Sequence, residues 1–182
     1  MKKLGPWLRK TSSHIFSNPW ISVRHDDVLM PAGTPGIYGV VHFKFLAVGI
    51  IPIDEDGDTY LVGQYRYPLE EYSWEIPMGG CPRGTSVEDT ALRELKEETG
   101  LTAESLQQIL RLHLSNSVTD EEGFVFVARG LTPGDMAPED SEDIAVQKVP
   151  FTEAVAMAHD GRITDALSVA GLMRANHIFA ST

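Results

Sequence analysis

One stretch constrains this chain more than any other: Gly79 to Leu101, GGCPRGTSVEDTALRELKEETGL. Gly79, Gly80 and Gly84 mark a loop after Pro77. Ser86 is a helix N-cap residue type, and Gly100 supplies the left-handed stop, so the spacing predicts a helix over 87–99. At roughly 100° per residue, Glu94 and Glu98 lie about 40° apart and Glu97 about 60° to the other side of Glu94. Three carboxylates therefore share one face beside an apolar stripe of Ala91, Leu92 and Leu95. Like charges at this spacing repel and weaken a helix, so something has to compensate them. Arg93 can bridge to Glu97 at i+4, which leaves Glu94 and Glu98 for a hard divalent cation with oxygen ligands. An ordinary solvated acidic helix face accounts equally well for the three glutamates taken alone.

Composition narrows the partners. The 182 residues carry 15 Lys+Arg against 26 Asp+Glu, a formal charge of −11, and 42% hydrophobic residues. That is enough apolar material for one cored domain, and the acidic excess disfavours nucleic acid and anionic membrane surfaces as partners. A protein so acidic can handle an anionic small molecule only through cations. The single cysteine, Cys81, excludes an internal disulfide framework and a Cys-based zinc cage, and it fits a cytoplasmic location. Residues 1–17 begin with Lys2, Lys3, Arg9 and Lys10 and lack an apolar h-region, so they are expected to form a flexible basic arm rather than a signal or anchor. The longest apolar run, Phe45 to Ile53, is too short to span a bilayer.

Residues 18–182 are expected to form a single domain. Extended segments are predicted from Trp20 and from Tyr38, then a buried strand over 45–53. A hairpin turn at Asp54 to Asp58 is expected to lead into a strand over 60–65. That turn is no EF-hand loop, because its sixth and twelfth positions hold Thr59 and Tyr65. Strands follow at 109–114, 124–128 and 144–149. Thr152 and Thr164 are the expected caps of two closing helices, the first stopped by Gly161. Strands, helix, strands, helices is not regular βαβ alternation, so a mixed sheet flanked by helices is predicted.

The 79–101 stretch resembles the Nudix box. Gly79, Arg93, Glu94, Leu95, Glu97, Glu98, Gly100 and Leu101 match that pattern at its spacing, and average residue frequencies put a random match on the order of one in a million. Thr85 stands where the pattern has its first glutamate. Three further segments are similar to the ADP-ribose pyrophosphatase branch of the Nudix hydrolases: Gln64 to Pro68, Trp74 to Pro77, and Gly161 to Ala166.

The resemblance implies an α/β Nudix fold, a mixed β-sheet in an α/β/α sandwich, with an N-terminal antiparallel strand region at 18–45 used in homodimerisation. It implies magnesium-dependent hydrolysis of the pyrophosphate of ADP-ribose or a related nucleoside diphosphate sugar, with manganese as a substitute. The metal set would be Glu94, Glu98 and the main-chain carbonyl of Met78, with Glu97 a further ligand or a residue behind the ligands. Arg93 would hold the loop–helix geometry. Glu142, in Glu142-Asp143-Ile144, resembles the segment that carries the general base, with Glu121 as its rival. A working base must come within about 3 Å of the reacting water.

Arg66 is the phosphate-contact candidate, since guanidinium suits bidentate phosphate binding. A surface pairing with Glu70 or Glu71 is the plainer alternative. Glu75 is expected to accept a hydrogen bond from substrate or from the protein itself, and Glu121 is a further substrate contact. Two other functions stay open: a sensor that holds a nucleotide sugar without cleaving it, which Thr85 favours, and a nucleoside triphosphate sanitiser.

Overall fold

The computed structural model describes residues 1–137 and 143–181. Its elements are β1 (Lys2–Leu4), β2 (Trp7–Ser17), β3 (Ile21–Leu29), β4 (Pro35–Phe43), β5 (Phe45–Pro52), β6 (Asp58–Arg66), β7 (Glu71–Glu75) and β8 (Met78–Pro82). They continue with α1 (Val87–Thr99), β9 (Leu101–His113), β10 (Glu122–Pro133), β11 (Ala145–Pro150), α2 (Phe151–Asp160) and α3 (Ala166–Phe179).

The centre is a mixed four-stranded sheet in the order β8-β5-β10-β9. Strand β5 is fully apolar because it is covered on both faces, as buried strands are. It runs parallel to β10, with Ala47 opposite Gly123 and Ile51 opposite Val127. Val48 and Ile50 point to one side, where Phe126, Ala128 and Leu101 join Ala91 and Leu95 of α1. Ile51 and Ile53 point to the other, against Val125 and Val127 and the α2 and α3 residues Ala154, Leu167, Leu172 and Ala175. Each fully buried large aliphatic contributes about 1.5–3 kcal/mol, so the two layers of helix are held by the alternation of one strand. This is the expected α/β/α sandwich.

Two further sheets flank it. Strands β11-β6-β7 form an antiparallel sheet, and β1-β2-β3-β4 another. The turn at Asp54 to Asp58 is present, with the Gly57 N–H donating to the Asp54 carbonyl at 3.2 Å. It does not open a hairpin: a single bridge, Ile53 to Thr59, joins the two sides before β5 and β6 enter different sheets. Lys148 Nζ lies 2.7 Å from Asp54 and 3.3 Å from Asp58 and offsets their charge.

Residues 1–17 differ from the expected flexible arm. They form β1 and β2, with β2 pairing β3 from Leu8–Leu29 to Ser17–Ser22. Most β2 side chains are exposed. Backbone pairing defines the strand, so no apolar periodicity announces it. The closing helices also start differently. Helix α2 begins at Phe151 behind Pro150, one residue before Thr152, and no side chain caps it. Asp165, not Thr164, caps α3 by accepting from the Ser168 N–H at 2.7 Å.

Candidate active site

Helix α1 spans the predicted residues. The Ser86 hydroxyl accepts the Asp89 N–H at 3.0 Å, and Gly100, at φ 72°, ends the helix with its N–H on the Lys96 carbonyl. A side chain at that φ would be strained. The face turned inward is more acidic than the sequence suggests: Glu94 is 8% exposed and Glu98 1%, beside Ala91 and Leu95. Leu92, expected in the apolar stripe, is 39% exposed, and Thr90 is buried instead.

Buried carboxylates are costly unless partnered. Glu98 Oε2 accepts the Met78 N–H at 2.9 Å. Arg93 compensates two glutamates rather than one, with Nη2 2.6 Å from Glu94 Oε1 and Nη1 2.5 Å from Glu97 Oε2. Gly79 packs directly on Glu94. An added Cβ would lie 2.0 Å from the Glu94 carboxyl carbon and 2.1 Å from one of its oxygens. With the carboxylate where it stands, only glycine lets β8 pass this close.

The donors Glu94, Glu97, Glu98 and the Met78 carbonyl are all oxygen, the set a hard divalent cation takes. Among the described residues no three acidic, histidine or cysteine side chains already converge as a metal cage. Glu94 and Glu97 each give an oxygen to Arg93, and a carboxylate has two oxygens, so a cation would share these carboxylates with Arg93 or draw them from it. The Gly79 contact and the burial of Glu94 and Glu98 fit such a site.

Beside these residues lies a cleft of about 430 Å³ lined by Arg66 and Glu121 together with Met78, Gly79 and Gly80. A second space, about 370 Å³, shares Gly79, Gly80, Trp20, Phe43 and Phe45 with it and reaches Arg93 and Glu94. One trough thus runs from Arg66 to Glu94 of α1.

Arg66 pairs neither with Glu70 nor with Glu71. Its Nε donates to Glu75 Oε1 at 2.8 Å and its Nη2 donates to Glu75 Oε2, a bidentate pair. Glu75 is 2% exposed, so it braces Arg66 from behind rather than facing the cleft. The Glu75 hydrogen bonds, and then the charges of Asp165 and Glu98, hold the Arg66 guanidinium above its ordinary pKa.

Glu121 reaches the cleft from the loop before β10. Burial first, and then the charge of Asp165, push its carboxyl above the ordinary value. The loop is fastened by the preceding residue. Asp120 Oδ1 accepts the Phe43 N–H at 2.9 Å and Oδ2 meets His42 Nδ1, while Arg83 Nη2 donates to the Asp120 carbonyl at 3.0 Å. These fastenings, and the Asp165 charge, escape sequence reasoning because they join residues far apart in the chain. Thr85 ties its own loop, donating from Oγ1 to the Pro82 carbonyl at 2.7 Å. Cys81 is fully buried, without access to a substrate. Glu142 lies outside the described residues.

The NUDIX domain model matches residues 44–170. The chain belongs to the Nudix family. A second model, the nucleoside diphosphate sugar hydrolase N-terminal domain, matches residues 5–41 of this Nudix hydrolase, which covers most of the supposed arm. The ADP-ribose pyrophosphatase of Bacillus subtilis (strain 168) is 34% identical over 154 residues, 84% of this chain and 83% of that protein. The methanol dehydrogenase activator of Bacillus methanolicus is also 34% identical, over 87% of this chain and 86% of its own length. A crystal structure of an ADP compounds hydrolase superposes with a TM-score of 0.87 at 23% identity, covering 100% of this chain and 98% of that one. That last likeness shows the fold.

Proposed function

We propose that this Nudix hydrolase cleaves the pyrophosphate of ADP-ribose or a related nucleoside diphosphate sugar, giving a nucleoside monophosphate and a sugar phosphate. The observation that carries the reading is the trough, with Arg66, braced by Glu75, lining one part and Glu94 of α1 lining the other. A diphosphate diester carries two negative charges and resists attack by water. Arg66, held by Glu75 in a fixed orientation, is built to take one phosphate by its remaining N–H groups. The names of the Bacillus subtilis relative and of the N-terminal domain model support the substrate class.

Glu94, Glu98 and the Met78 carbonyl would hold magnesium, or manganese in its place, with Glu97 alongside. A cation bound there supplies neutralisation of the diphosphate and a more acidic water. Glu142 is the proposed general base, on sequence grounds. Glu121, the rival base, is supported by its place in the lining of the cleft and by a carboxyl held above its ordinary pKa. The aromatic Trp20, Phe43 and Phe45 give the trough an apolar wall. Nucleic acid and membrane are not proposed partners, and the proposed location is the cytoplasm.

Incubation with magnesium and ADP-ribose, followed by measurement of AMP release, tests the reading. Release of AMP and ribose phosphate is expected. No turnover of ADP-ribose, GDP-mannose, NADH, diadenosine polyphosphates or 8-oxo-dGTP would overturn it, and tight ADP-ribose binding with zero turnover would replace it with the sensor.

A further inference from the structure

The segment Gly161 to Ala166 has entered the site so far only through the charge of Asp165 on Arg66 and Glu121. Its effect is found across the molecule, at the turn from β7 into β8. Three successive residues there are each held by a different element. The Ile76 N–H donates to Ser168 Oγ of α3 at 3.0 Å. The Pro77 carbonyl accepts the Ile50 N–H of β5 at 2.8 Å. The Met78 N–H donates to Glu98 Oε2 of α1 at 2.9 Å.

The first of these holds is the only one of the three made by a hydroxyl, and a hydroxyl can rotate. Ser168 is fully buried, and its own proton goes to Asp165 Oδ2 at 2.8 Å, which fixes its lone pairs toward Ile76. Asp165 is fixed in turn, since the same Oδ2 accepts the Ser168 N–H at 2.7 Å as the cap of α3. Ile163, 1% exposed, pins the approach to that cap in the core. The relay therefore runs from a helix cap, through one oriented hydroxyl, to the backbone between Glu75, which braces Arg66, and Met78.

We propose that Asp165 and Ser168 are a positioning pair that sets the Ile76–Met78 backbone, and through it the Met78 carbonyl, for the divalent cation. The inference rests on the metal assignment made under the proposed function. Neither residue is a ligand, and neither touches the reacting atoms. Partners that orient metal ligands from behind typically cost about ten- to a hundredfold in metal affinity when removed.

The test is manganese binding to the full-length protein in the absence of substrate, by electron paramagnetic resonance titration, with magnesium half-saturation of turnover measured in parallel. Ser168→Ala is expected to weaken manganese binding by about tenfold or more, while circular dichroism shows the fold intact and KM for substrate at saturating metal stays unchanged. Asp165→Ala is expected to follow it. Asp165→Asn keeps a good N-cap and an acceptor for the hydroxyl, so it is expected to restore binding to within about threefold of the parent, and it decides the matter if Ser168→Ala fails to fold. Unchanged manganese affinity in Ser168→Ala, or Asp165→Asn as weak as Asp165→Ala, would overturn the positioning role. Absence of manganese binding by the parent protein would instead remove the metal assignment beneath it.

Discussion

Gly79 and Glu98 show how little room a single side chain has at this site. A methyl at residue 79 would stand 2.0 Å from the Glu94 carboxyl carbon, so Gly79→Ala must displace either β8 or the carboxylate. Loss of most turnover is expected, with a smaller effect on melting temperature, and steady-state kinetics beside a thermal melt checks it. Glu98→Gln keeps an acceptor for the Met78 N–H but removes the charge, and kcat is expected to fall at least about a hundredfold. Glu142→Gln is expected to lose about as much; an unchanged rate would move the base to Glu121. Glu121 carries its own signature. Its carboxyl is raised above 4.5 by burial and by Asp165, so its contribution to stability is fully present below that value and is lost as pH rises through the folded pKa. Glu121→Gln cannot ionise and escapes that loss. The melting temperature of the variant minus that of the parent is therefore expected to climb between about pH 4 and pH 7. A flat difference would mean that Glu121 is as well solvated as an ordinary glutamate.

At the scale of elements, what the sequence discloses is local and what it withholds is register. Helix α1 was readable to the residue because Ser86, Gly100 and the carboxylate spacing all lie inside one stretch. Replacing Ser86 with Ala removes the acceptor of the Asp89 N–H and is expected to cost about 1 kcal/mol, measured by denaturant unfolding, while Ser86→Asp keeps most of it. Strand β5 was readable from its apolar run, and the N-terminal edge of α3 was missed by one residue because Thr164 and Asp165 are both good caps. Only the carboxylate reaches the Ser168 N–H and hydroxyl together. The Arg66–Glu75 pair was hidden for a different reason. Neighbouring Glu70 and Glu71 are closer in sequence, and even the β6–β7 register puts Arg66 opposite Glu71; it is the buried carboxylate of Glu75, which no sequence pattern marks as buried, that takes the guanidinium. Long β9 was foreseen only at its end, 109–114, since the residues before it are mostly exposed and so lack an apolar pattern.

The N-terminal sheet poses the question that belongs to the whole molecule. Four strands, β1 to β4, bury only Asp26 and Val28 below the level of the other residues, whereas Ile15, Phe16 and Ile37 are 61%, 50% and 69% exposed. A sheet with so little covered surface is marginal on its own, and a partner packed on it would take these apolar side chains out of water. It is also fastened to the cleft: the Val41 N–H donates to the Val118 carbonyl at 2.9 Å, and Tyr38 Oη to the Ser117 carbonyl at 2.6 Å, on the loop that ends in Glu121. A second copy of the chain is the proposed cover, which would steady that loop from the far side of the sheet. The net charge of −11 opposes self-association at low salt, so the apolar contact has to carry it. Light scattering at micromolar concentration is expected to give about twice the 20.0 kDa of one chain. Ile15→Glu and Ile37→Glu each put another negative charge on the exposed face and are expected to shift the mass toward one chain, with kcat falling as Glu121 loses its support. A parent protein that scatters as a monomer, with full activity, would show that β1–β4 stand alone and that the Asp120 fastenings suffice to hold the loop.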